Sequence, residues 1–254
     1  MLGKLLSSIG IGAATVDTIL DPPHAPLGGR LSGTVRVRGG QVEQDVSAID
    51  LQLVTALVKE VDGKKVPGTG VVATARAGGA FRINPGESKE LPFQMEVPLH
   101  TPVTAPGGRP PTRLLTSLAV AAALDPSDAD PVEVDPAQVQ IDTHNAMLAL
   151  GFRLYKLDVE HRPRWHGGAG FVQEWEFRPD RGGWRYDEVE IVFQPSGGGF
   201  ELLIQLDRAA RGLGGLLLEA AGMDESWRRI QLPGGLKGPG QAAIERQLAA
   251  LMQG

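Results

Sequence analysis

Two strand-like stretches carry acids at every other position: Glu174 and Glu176 in one, Glu188 and Glu190 in the other, with Asp187 beside them. Paired carboxylates can act as general acid and base, and a group of them can hold a metal ion. Either use needs a pocket that excludes water and shifts a pKa. Nothing in the neighbouring sequence supplies such a pocket, and acids alternating along a strand ordinarily form its solvated outer face. That is the expectation here. Asp125, Asp128 and Asp130 offer oxygen ligands, but they lack the spacing, turn glycine and terminal glutamate of a calcium loop. They read as a polar hinge.

Other catalytic signals are weaker still. Of the five histidines, His24, His100, His144, His161 and His166, only the last two lie close together. They lack the i, i+4 spacing of a zinc-protease pair, so structural or surface roles are expected. Gly10 and Gly12 precede a strand and lack a third glycine, which excludes a dinucleotide loop. There is no Gly-x-Ser-x-Gly elbow and no phosphate-binding loop. The chain has no cysteine, so it can form neither a disulfide nor a thiolate metal site. No catalytic residue, metal or cofactor is assigned.

Two groups of residues are candidates for contact. Asp207, Arg208 and Arg211 precede a glycine-rich helix start, where arginine forks can grip carboxylates within the protein or on an acidic partner. Leu2, Leu5, Leu6 and Ile9 fall at i, i+3, i+4 and i+7 and share one helix face. Burying each large side chain is worth about 1.5–3 kcal/mol, so four of them call for a neighbour. With Lys4 as its one charge, the segment suits packing or docking on a protein, including a second copy of this chain, better than a membrane surface.

The elements around these residues are short and mostly extended. Leu31, Val35 and Val37 alternate with Arg30, Arg36 and Arg38, Ile49 to Val58 alternates in the same way, and Leu91, Phe93, Met95 and Val97 follow. Leu114 to Leu124 reads as a strand. The Asp125–Pro131 stretch, with two prolines and three acids, reads as a linker. After it, Pro136 to Ala149 is expected to be helical and to stop at Gly151. Extended segments are expected near Phe152, Phe171, Val189, Phe200 and Trp227, a helix over Gly215–Ala221, and a terminal helix over Gln241–Met252. The 34 glycines and 19 prolines sit between these segments as turn punctuation.

Composition narrows the class. At 254 residues the chain can bury a core without staples. A net charge of −5 argues against nucleic acid as partner. No apolar run approaches the roughly eighteen residues of a membrane span. Gly10 and Gly12 break the first apolar run, so no secretory signal is expected.

Ala149–Leu154, Phe171–Pro179, Asp187–Phe193 and Asp207–Leu216, taken in order with the N-terminal block, resemble the bacterial sporulation-control proteins with an arrestin-like fold. The resemblance implies a mainly β chain of two arrestin-like β-sandwich lobes. The first would span residues 1–130 with a short N-terminal helix, and the second residues 131–254 with added α-helices. It also implies a non-enzymatic cytoplasmic scaffold that recognises other proteins in sporulation, division or envelope control.

Overall fold

The computed structural model describes residues 13–120, 127–163, 169–180, 183–207 and 227–253. The expected N-terminal helix face and the helix over 215–221 lie outside them. The chain divides into two compact units: Met1–Ala56 with Gly68–Asp135, and Leu57–Pro67 with Pro136–Gly254. The fold is mainly β, as the alternation implied, and the helix Pro136 was expected to open lies in the second unit.

In the first unit, β1 (Thr15–Leu20), β3 (Arg30–Arg38) and β7 (Ser88–Glu96) form an antiparallel sheet in the order β1-β3-β7. Leu31, Val35, Val37, Phe93 and Met95 are buried on one face, while Arg30, Arg36 and Arg38 stay exposed on the other. The facing sheet is built on β4 (Gln44–Val61), which pairs with β8 (Thr112–Val120) and β6 (Phe81–Ile83). Beyond β8 come β9 (Ser127–Asp135) and the short parallel β2 (His24–Pro26). Ile49, Leu51, Leu53, Leu114, Leu118, Val132 and Val134 are fully buried there. The two sheets meet through a hydrogen bond between the Thr18 and Thr116 hydroxyls at 2.7 Å, and the Thr18 N–H donates to Asp128 Oδ2 at 2.7 Å. Gly33 permits close approach. A Cβ there would run into the Ile19 carbonyl and lie 2.9 Å from the Phe93 ring.

The Asp125–Pro131 stretch departs from expectation over its described part. Ser127 to Asp135 is a strand, with pairs from Ser117↔Ser127 to Thr112↔Val132. Ser127, Ala129 and Pro131 are exposed, while Asp128 and Asp130 are partly buried on the face that continues into the buried Val132 and Val134. A run of aspartates and prolines concealed a half-buried strand, because pairing with β8 meets its backbone needs whatever its side chains are.

Strand β4 is 18 residues long and returns as β5 (Lys64–Arg76) through a two-residue Asp62–Gly63 turn. Both turn residues have positive φ, 51° and 71°, the geometry of the hairpin turn that suits strand twist. The tip of this hairpin, Leu57–Pro67, belongs to the second unit.

The second unit is an antiparallel meander of β10 (Phe152–His161), β11 (Phe171–Pro179), β12 (Glu188–Ser196), β13 (Gly199–Asp207) and β14 (Arg228–Leu232). One face carries Trp175, Phe177, Val189, Ile191, Phe200, Leu202 and Ile204, all buried. Helices α1 (Gln138–Ala149) and α2 (Gln241–Gln253) pack on each other, and His144 of α1 lies 6.2 Å from the Phe177 ring. Helix α1 starts where Gln140 Oε1 accepts the Ala137 N–H at 2.9 Å, half of a capping box. It stops, as expected, at Gly151, whose φ of 84° takes the left-handed turn. Trp184 Nε1 then donates to the free Leu150 carbonyl at 2.9 Å. At the far end of α2, Arg228 donates to the Leu251 carbonyl at 2.6 Å, a cation on the negative helix terminus.

Candidate functional site

Of the residues singled out for contact, Leu2, Leu5, Leu6, Ile9, Arg208 and Arg211 lie outside the described residues. Asp207 ends β13, exposed, opposite Glu188 in the ladder, and its carbonyl accepts the Asp187 N–H at 2.9 Å.

The alternating acids were expected on a solvated face, and here the structure overturns the expectation. Glu174 and Glu176 are buried at 7% and 4% exposure, and Glu188 and Glu190 are partly buried. Asp187 alone of the five is exposed. The reason is cross-strand and invisible in any one strand. In register, Lys156 lies opposite Glu176, which lies opposite Glu190, which lies opposite Gln205. One row therefore crosses four strands, and the next places Asp158 opposite Glu174. Beside it, Val172, Val192 and Leu203 form a buried apolar cluster with Trp227. Both faces of this sheet are thus covered.

Bases inserted between the acids make burial tolerable. Lys156 Nζ reaches Asp158 at 2.6 Å and Glu176 at 3.0 Å. Arg162 reaches Glu160 at 3.2 Å and Glu174 at 3.1 Å. Arg178 bridges Glu176 at 2.7 Å and Glu188 at 3.1 Å. Lys65, on the hairpin tip, pairs with Glu160 at 3.0 Å, next to the single bridge Glu160↔Val58. A β-bulge between Leu154 and Lys156 frees Tyr155, and the Arg178 guanidinium sits 3.5 Å from the centre of its ring. Sequence reasoning missed these bases. The signal was present, since Arg178 continues the every-other-residue series of Glu174 and Glu176, and Lys156, Asp158 and Glu160 form a matching series on β10.

Electrostatics follow from this arrangement. Burial raises Glu174 above the usual carboxylate range even with Arg162 beside it. Burial also raises Glu188, aided by its hydrogen bond to Glu176. Glu190 goes furthest. Burial, then the carboxyls of Glu174, Glu188, Asp207 and Glu176, push it up to about 8. In the first unit, burial with Asp128 and Asp17 pushes Asp130 up to about 6. No group of three or more metal-ligating side chains suited to an ion occurs among the described residues.

A second feature concerns backbone. Among the described residues, β5 pairs only with β4, so one edge of a 13-residue strand is open. Pro67 lies within it, and a residue without an N–H fits an edge position. Every other residue from Pro67 to Val71 is exposed, Val71 at 53%. The His100 ring hydrogen-bonds the Val72 backbone, and burial holds that histidine below its ordinary pKa. A shallow depression of about 420 Å³, lined by Asp21, Ser32, Thr34, Pro92 and Gln94 among others, lies on the β3–β7 face. No helix among the described residues is long and apolar enough to cross a membrane.

Comparison with known proteins gives consistent matches. A family model described as SpoOM protein matches residues 2–210. The sporulation-control protein spo0M of Bacillus subtilis (strain 168) is 38% identical over 230 residues, 90% of this chain and 88% of that one. The crystal structure of Spo0M from Bacillus subtilis matches with a TM-score of 0.82 at 34% identity, over 96% of this chain and 99% of that chain.

Proposed function

The chain belongs to the Spo0M family, and we infer from that membership that it is a non-enzymatic cytoplasmic adaptor in sporulation or cell-division control. It works by binding other proteins. The observation that carries this reading is the open edge of β5. A strand edge offers a row of backbone donors and acceptors, so a partner's extended segment can add to the sheet without a dedicated pocket. The small residues Gly68, Gly70, Ala73 and Ala75 leave that backbone accessible to an incoming strand. The acids of the second unit support the non-enzymatic part, since Glu174, Glu176 and Glu188 are already held by Arg162, Lys156 and Arg178.

The test is site-specific photo-crosslinking in the source bacterium. A crosslinker at Thr69 or Thr74, both exposed on β5, is expected to trap a defined protein partner. The same group at Arg38, exposed on the other sheet of the first unit, serves as the control. Equal or absent capture at the two places would overturn the reading.

A further inference from the structure

The second unit holds more buried acid than base. Asp158, Glu160, Glu174, Glu176, Glu188 and Glu190 line one face, and the bases among them are Lys65, Lys156, Arg162 and Arg178. Every one of those bases is committed. Lys65 serves Glu160, Lys156 serves Asp158 and Glu176, Arg162 serves Glu160 and Glu174, and Arg178 serves Glu176 and Glu188. On the far side, Arg229 of β14 leans toward Glu201 at 3.8 Å. Among the described residues, Glu190 is the acid of this face left without a base.

Its surroundings can be read from each neighbouring strand. On β11 it faces Glu176 directly, with Glu174 and Arg178 on the same face. On β13 it faces the neutral Gln205, with Asp207 two residues further on. Glu188 precedes it on its own strand. Among the described residues, the charges that raise Glu190 are the carboxyls of Glu174, Glu188, Asp207 and Glu176. Like charges directly opposite in a ladder repel, and an unpaired buried carboxylate costs more than the proton that neutralises it.

We propose that Glu190 keeps its proton at neutral pH and acts as a proton-linked latch on the β11–β12 pairing, which loosens when the proton is lost on alkalinisation. Protonated, Glu190 is a neutral hydrogen-bonding group that Glu176 and Gln205 can accommodate. Ionised, it places a second negative charge opposite Glu176 inside the ladder. Glu188 and Glu176 differ from it in having the Arg178 guanidinium between them. The sign follows from linkage. Unfolded glutamate ionises near 4.3, whereas folded Glu190 titrates at about 8. The stability it contributes is complete below the unfolded value and is lost as pH rises through the folded one. Each pH unit inside that window costs up to about tenfold in the folding equilibrium constant.

Two measurements on the full chain test the latch. Infrared difference spectroscopy of the wild type, titrated from pH 6 to 10, is expected to show a protonated carboxyl band that disappears near pH 8 and is missing from Glu190→Gln. Hydrogen exchange is expected to show protection of β11 and β12 amides, corrected for intrinsic rates, falling up to about tenfold more in wild type than in Glu190→Gln between pH 7 and 9. The infrared arm reads the wild type directly, so it decides the matter even if the variant folds poorly. No protonated carboxyl at pH 7, or equal loss of protection in the two proteins, would overturn the proposal.

Discussion

The β3–β7 ladder of the first unit and the β11–β12 ladder of the second carry charge at the same spacing and end in opposite surroundings. On β3, Arg36 pairs with Glu90 at 2.8 Å with both side chains more than half exposed. On β11, the Glu176 side chain is 5% exposed and held by two cations. In the first unit, charge marks the wet face and aliphatic residues mark the core. In the second, both faces are covered, so the charged face becomes a buried network whose members depend on one another. Alternation shows that a strand has two faces. It does not show that either one meets water.

Removing a base from the buried ladder should have the largest effect on this contrast. Arg162→Ala leaves Glu174 buried without its cation and is expected to cost about 3 kcal/mol at pH 7, measured by urea unfolding. Because burial already raises Glu174, acidification lets it protonate, so the deficit should shrink toward pH 5. A deficit that stays constant with pH would mean the loss is packing, not charge.

Gly33→Val tests the first unit, where close sheet packing matters more than charge. Its side chain would meet the Ile19 carbonyl and the Phe93 ring, at an expected cost of about 2 kcal/mol independent of pH. Glu190→Gln should do the reverse of Arg162→Ala, adding about 1–2 kcal/mol at pH 7 by removing the cost of keeping an acid protonated. A destabilised variant would show that Glu190 is ionised and paired in the folded protein. Arg36→Ala is the smallest change. An exposed pair is worth about 0–1 kcal/mol and fades with salt, so its unfolding curve should nearly overlay the wild type in roughly 0.5 M salt, where the Debye length falls to about 4 Å.

Much of the architecture was legible beforehand. Leu31 to Val37 shows its buried face because polar and apolar residues alternate cleanly, and α1 stops at Gly151 because only a left-handed residue ends it there. The Ser127–Pro131 strand was not legible, because Asp128, Asp130 and Pro131 carry turn chemistry, and what makes it a strand is β8 beside it. The bases of the ladder were not assigned either, since Lys156, Arg162 and Arg178 acquire their roles only when three strands align.

A mainly β chain, the stop of its first helix at Gly151 and the family were readable from the sequence, because these depend on local conformation and on the order of residues. Which strands lie side by side decides that Glu174 and Glu176 are buried and Glu190 partly so, and that, among the described residues, Glu190 has no cation and β5 pairs on one edge alone. Each depends on which strand lies alongside, a relation between residues far apart in the chain that no single strand records.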